Sequence, residues 1–248
     1  MIHQAANAKS VGSAYESLYK FGGTAALMVV LLTLSEVVGF IFYPQPGSVD
    51  DWFLLFQRNP LIGFLDFWGL EVLMYAMFAI VFLALYTALR KAHESAMAVA
   101  LTFALLGIAI FFATNNPFSM LSLSNQYAAA TDDAQRSTLL AAGHAVLTNT
   151  NQRAVGGFNM GLFLVSIAGL IVSAVMVQSS AFSRFTAYVG ILAHALSLAD
   201  YLRQALTSSA AVALLVILPN ALFLMIWFGL ISRRLYRMGR LDTTILPV

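Results

Sequence analysis

The stretch Gly190-Ile191-Leu192-Ala193-His194-Ala195-Leu196-Ser197-Leu198-Ala199-Asp200-Tyr201-Leu202-Arg203-Gln204 lies inside an apolar run, about 185–206, that is long enough to cross a membrane. At about 100° per residue, His194, Ser197, Asp200, Tyr201 and Gln204 fall within roughly a third of a helix circumference. Arg203 follows Asp200 by three positions and is placed to pair with it. A polar stripe is costly in a bilayer unless it faces protein or water. The run therefore reads as one helix of a bundle, with its stripe turned away from lipid.

Outward from this helix the same kind of run recurs, at about 21–42, 61–89, 96–114, 155–177 and 210–231. The chain is 60% hydrophobic and 10% charged, against about a quarter charged in a soluble domain. Hydrocarbon offers the backbone no hydrogen-bond partners, so each run is predicted to be a helix, and the alternation of a membrane barrel is absent. The expected fold is all-α: a polytopic membrane protein whose 248 residues form one domain, a six-helix transmembrane bundle with an external amphipathic helical cap over 118–153. In the cap, Asp132 and Gln135 resemble a capping box, and Leu139, Leu140, Gly143, Val146 and Leu147 recur at helical spacing.

Local signals set the joints. Residues 1–20 are polar, so the first span reads as a retained helix and not as a cleaved leader. Tyr43-Pro44-Gln45-Pro46-Gly47 ends that span, and 50–56 reads as a short interfacial turn with aromatic anchors. Asn115-Asn116-Pro117 ends the third span. Gly156, Gly157, Gly161 and Gly169 allow the fourth span close helix contacts. Pro219-Asn220 predicts a kink in the sixth. Phe21-Gly22-Gly23 and Val155-Gly156-Gly157 form a weak internal echo, of the kind that inverted three-helix halves produce.

Six spans place both termini on one side. Lys9, Lys20, Arg90, Lys91, Arg184, Arg233, Arg234, Arg237 and Arg240 share it, against Arg58, Arg136, Arg153 and Arg203 on the other. The positive-inside rule makes both termini cytoplasmic and the cap external.

Leu123-Ser124, Tyr127-Ala128-Ala129-Ala130-Thr131-Asp132-Asp133-Ala134-Gln135-Arg136, Leu139-Leu140-Ala141-Ala142-Gly143, Phe182-Ser183-Arg184 and Tyr188-Val189-Gly190-Ile191 together resemble a bacterial six-helix membrane family known as a domain of unknown function in the four-thousands series. The resemblance covers nearly the whole chain. It implies six spans and a place in the bacterial cytoplasmic (inner) membrane, and it carries over no catalytic residue.

The chemistry is one-sided. Glu36, Asp66, Glu71, Asn159, Asp200 and Arg203 fall in the outer half or at its edge, and His194 lies deeper. The central expectation is an outward-facing polar chamber between spans one, two, four and five, lined by Glu36, Glu71, Asn159, His194, Asp200, Tyr201 and Arg203. It would bind or pass a small or lipidic ligand. Glu36 needs a partner, water or a proton, and Arg203 and His194 are the available partners. Glu71 and Tyr75, four apart, are placed to hydrogen-bond.

Two other readings stand beside this one. A metal-dependent intramembrane hydrolase would use His194 with Glu36 and Glu71, although the usual spacing of several histidines is missing. A structural or regulatory subunit would need no ligand. Ser197, His194 and Asp200 share one helix and cannot converge on a reacting atom as a triad. Cysteine is absent, which excludes disulfides, thiolate metal sites and cysteine nucleophiles. No lysine lies within a span for a Schiff base, and no glycine-rich phosphate loop is present. The basic residues mark helix ends and leave no nucleic-acid footprint. The bilayer is thus the expected partner, a homo-oligomer is left open, and the cofactor is unknown.

Overall fold

Helix starts in this chain are written in its capping residues, and the computed structural model, which describes residues 2–42, 45–149, 159–206 and 210–241, shows them in use. Ser48 accepts a hydrogen bond from Asp51 N at the head of one helix, and His93 Nδ1 accepts from Ala96 N at the head of another. Asn59 and Asn116 each cap a helix whose first residue is proline, a position where the missing N–H costs nothing. Asn159 caps a further helix through Leu162 N at 2.9 Å. The helices are α1 Ile2–Phe42, α2 Val49–Arg58, α3 Pro60–Phe64, α4 Leu70–Leu89, α5 Glu94–Thr114, α6 Pro117–Ala129, α7 Asp133–Asn149, α8 Met160–Gln178, α9 Arg184–Leu206 and α10 Ala210–Leu241. No strand occurs among the described residues.

Six helical segments are long and apolar enough to cross a membrane: α1, α3 with α4, α5 leading on into α6, α8, α9 and α10. They pack in a ring in which α1 meets α4, α4 meets α5, α5 meets α8, α8 meets α9, α9 meets α10, and α10 returns to α1. Aromatic side chains fill the interior. Tyr75 stacks on Phe111 with centroids 3.7 Å apart, and Phe78 lies parallel to Phe228 at 5.5 Å. The protein is thus an all-α, multi-pass membrane bundle.

The α5–α8 crossing is the clearest case of backbone on backbone. A methyl group at Gly107 would stand 2.6 Å from the Gly161 carbonyl, and one at Gly161 would stand 2.7 Å from the Gly107 carbonyl. Small residues permit this approach where no hydrophobic force pulls two helices together in lipid. Gly156, Gly157 and the first residues expected in this span lie outside the described residues, as do Tyr43, Pro44 and Arg153.

Both ends of the described chain meet at one end of the bundle, the tail end. Gly239 lies against Lys20 and Glu16, Arg90 donates to the Tyr15 hydroxyl at 2.9 Å, and Arg234 donates to the Ala181 carbonyl. Here α1 and α10 run well past the apolar runs at 21–42 and 210–231. Polar residues mark where hydrocarbon stops, and a helix continues in water as long as its neighbour packs against it.

The other end carries a cap with its own core. Val49, Trp52, Phe53, Phe56, Phe67, Met120 and Leu147 are buried together. The Ser124 hydroxyl donates to the Phe53 carbonyl at 2.8 Å, and Tyr127 donates to Asp50 at 3.1 Å. The segment read from sequence as an interfacial turn with aromatic anchors is instead α2, whose aromatics point into this core. A helix that is strongly apolar on one face buries it as soon as another element offers cover, and α6 and α7 do so. The Asp132–Gln135 reading agrees with the structure: Gln135 N donates to Asp132 Oδ1 at 2.7 Å, while Gln135 Oε1 accepts from Thr131 N.

The second span is interrupted at Leu65–Gly69. Phe67 leaves helical geometry at φ −91°, ψ 67°, and Trp68 is left-handed at φ 68°, ψ 9°. Pro219, where the sequence predicts a kink, lies inside α10, which is helical on both sides of it. Asn220 there accepts from the Ser197 hydroxyl at 3.1 Å.

Gly161→Leu should lower the thermal unfolding midpoint in detergent, because overpacking costs about 1–3 kcal/mol. Leucine recovers about 1 kcal/mol of helix propensity, so the observed loss is the overpacking cost less that gain. A variant as stable as the parent would show that the crossing has room for a side chain.

Candidate functional site

A cavity of about 290 Å³ lies between α1 and the interrupted second span, lined by Ser35, Glu36, Gly39, Ile62, Leu65, Asp66, Leu70 and Glu71. Each wall follows from local structure. Ser35, Glu36 and Gly39 share one face of α1 at spacings of three and four. Gly39 has nothing within 4 Å of where a side chain would begin, so the α1 wall is open there. Asp66 belongs to the Leu65–Gly69 turn, whose position is held in part by Gln45 donating to the Asp66 carbonyl at 3.2 Å. Glu71 stands in the first turn of α4, where the unpaired N–H groups and the helix dipole favour a carboxylate.

Three carboxylates thus line one small space with mostly aliphatic walls. Glu71 is only 9% exposed and lies within electrostatic range of both Glu36 and Asp66. One carboxylate oxygen of Glu36 is fully enclosed and accepts no hydrogen bond. Among the described residues no basic side chain pairs with any of the three; Arg203 pairs with Asp200 at 2.6 Å and Lys20 with Glu16 at 2.7 Å. An isolated buried carboxylate costs several kcal/mol. The arrangement is therefore suited to hold positive charge or protons.

The other residues singled out from sequence fall into separate groups. Asn159 caps α8, and its carbonyl accepts from the Tyr201 hydroxyl at 3.1 Å. Tyr75, enclosed between α4 and α5, lies within electrostatic range of Tyr201, Glu71 and Glu36. Its hydroxyl makes no hydrogen bond to Glu71, because the ring is turned onto Phe111 while Glu71 faces α1. Asp200 accepts from both Arg203 and Gln204, so Arg203 serves its own helix and is not the counter-charge of Glu36.

His194 stands apart from the cavity. Its ring is edge-on to Trp227 with centroids 4.7 Å apart, and a methyl at Gly169 would collide with it. It is 3% exposed, and neither ring nitrogen has a hydrogen-bond partner. It sits seven residues from Tyr201, about 10 Å along the helix at 1.5 Å per residue. The expected chamber spanning four helices with His194, Glu36 and Glu71 on its walls is thus corrected to a smaller cavity between two spans. The reason is that α9 turns its stripe onto α8 and α10, not onto α1. No three His, Asp or Glu side chains are gathered as metal ligands among the described residues. Sequence reasoning missed Ser35, Gly39, Ile62, Leu65 and Leu70; only the spacing of Gly39 from Glu36 offered a signal.

His194→Leu should leave thermal stability unchanged or raised, since it removes two buried groups that no partner satisfies, each worth about 1–3 kcal/mol when orphaned. Gly169→Val should lower it. A marked loss in His194→Leu would mean that the imidazole is hydrogen-bonded in the membrane.

No curated protein and no solved structure matches this chain. A family model described as a domain of unknown function, DUF4386, matches residues 24–230. That stretch begins within the packed part of α1, takes in the cap and every wall of the cavity, and ends in α10 just before its basic end. On this evidence the chain belongs to the DUF4386 family.

Proposed function

We propose that this protein binds or passes a small or lipidic ligand in the cavity between α1 and the second span, open toward the outer side of a bacterial cytoplasmic membrane. One observation carries the reading. The buried carboxylate of Glu71 faces a cavity together with an unpartnered Glu36. Acids kept in such a place without a counter-charge cost stability, and sites that cost stability are where ligands or protons act. The paired polar groups elsewhere in the bundle, such as Tyr201 with Asn159, carry no comparable demand.

The orientation rests on charge. Lys20, Arg90, Lys91, Arg184, Arg233, Arg234, Arg237 and Arg240 belong to the tail end, whereas only Arg58 and Arg136 among the described basic residues belong to the cap. The positive-inside rule then puts the tail in the cytoplasm and the cap outside. The bacterial setting rests on the family resemblance.

Native mass spectrometry tests the cavity. The parent protein should carry a bound small molecule or lipid, and Gly39→Phe, which fills the α1 wall while keeping both glutamates, should lose it. The same adduct on both proteins would end the reading. A fluorescent protein fused after Val248 should fold and fluoresce in the cytoplasm; a dark fusion with an active exported reporter at the same site would reverse the orientation.

A further inference from the structure

We infer that the occupant of this cavity is an amphiphilic cation, a primary or quaternary ammonium head joined to an apolar chain, with the head at Glu36 and Glu71 and the chain leaving between α1 and the second span. The inference rests on the cavity being a ligand site, and adds the chemical class of the ligand.

Charge comes first. Three carboxylates in one space repel an anion and gain nothing from a neutral alkyl group, while a cation supplies the counter-charge that no described side chain provides. The second observation is an enclosed, unanswered acceptor: one carboxylate oxygen of Glu36, at the cavity wall, is fully buried and accepts no hydrogen bond, while Glu71 beside it is 9% exposed and is met by no other described side chain. Among the described residues no three His, Asp or Glu side chains stand close enough together to hold a metal ion, so a divalent cation is the poorer fit.

The apolar chain follows from the walls and the mouth. Ile62, Leu65 and Leu70 surround the acids, and Ile62 and Leu65 remain 44% and 40% exposed. On α1 the neighbouring Leu34 and Val38 are 44% and 51% exposed. In a bilayer these side chains face lipid, so the cavity adjoins hydrocarbon at its side. At about 30 Å³ per water, the 290 Å³ cavity holds about ten waters or as many heavy atoms. That is room for a headgroup and the start of a chain, with the remainder lying among acyl tails.

The test uses full-length protein in phosphatidylcholine nanodiscs with three probes of equal length, dodecylammonium, dodecanol and dodecanoate, and Gly39→Phe as the background for partitioning. Dodecylammonium should bind above that background, with dodecanol and dodecanoate weaker by about tenfold or more. Glu36→Gln and Glu71→Gln should each weaken dodecylammonium about tenfold and leave dodecanol unchanged. If dodecanol or dodecanoate binds as tightly as the amine, and Gly39→Phe abolishes it, the cavity is a ligand site but its ligand is not cationic. If no probe exceeds the Gly39→Phe background, the amphiphile inference fails, and native mass spectrometry of the untreated protein decides separately whether the cavity holds anything.

Discussion

One backbone conformation organises the cap end of this protein: Trp68 in the left-handed region at φ 68°. A bulky residue there costs about 1–3 kcal/mol and persists only if its surroundings insist on it. They do. The irregular turn lets Phe67 enter the cap core while Trp68 bridges the cap core and the bundle core. Phe67 is fully buried against Trp52 and Phe56 in the cap, while Trp68 meets Phe111 in the bundle. Burying a large apolar side chain contributes about 1.5–3 kcal/mol, so the two anchors offset the strained residue. The same turn starts α4 partway along the span, which gives Glu71 a helix N-terminus and leaves a space beside α1.

Buried polar groups in the bundle divide by whether they are answered. Tyr201 with Asn159, Ser197 with Asn220, and Ser232 with the Gly23 carbonyl at 2.8 Å link neighbouring helices by hydrogen bonds. They hold the ring closed and need no other explanation. One oxygen of Glu36 is not answered from within, and it borders a cavity beside Glu71; His194 is not answered either, but it is wedged between Gly169 and Trp227 with no cavity at hand. Glu36 thus differs from His194 in facing space rather than packed side chains.

The bundle itself was legible in the sequence, because hydrocarbon-length apolar runs leave the backbone no choice but helix. The Asp132–Gln135 cap and the Leu139–Gly143–Leu147 face were legible for the same local reasons. The cap core was not, since nothing in Trp52, Phe53 and Phe56 tells whether they face headgroups or protein. Nor was the broken second span: Phe67-Trp68-Gly69 carries one glycine and no proline. Glu36 and Glu71 were identified as a pair, while His194 was placed with them because its depth could be estimated and its direction could not. Helix rotation against neighbours is set by packing, and packing is not periodic in sequence.

A negative potential at Glu36 and Glu71 in an accessible cavity is directly measurable, because the chain has no cysteine. Gly39→Cys introduces a thiol on the α1 wall. Its rate of modification by a cationic trimethylammonioethyl methanethiosulfonate, relative to an anionic sulfonatoethyl one and normalised to a free thiol in solution, reports the local potential. The account expects a clear preference for the cationic reagent that disappears when Glu36→Gln and Glu71→Gln are combined with the cysteine. Equal normalised rates in the single-cysteine protein, or no modification by either reagent, would contradict it.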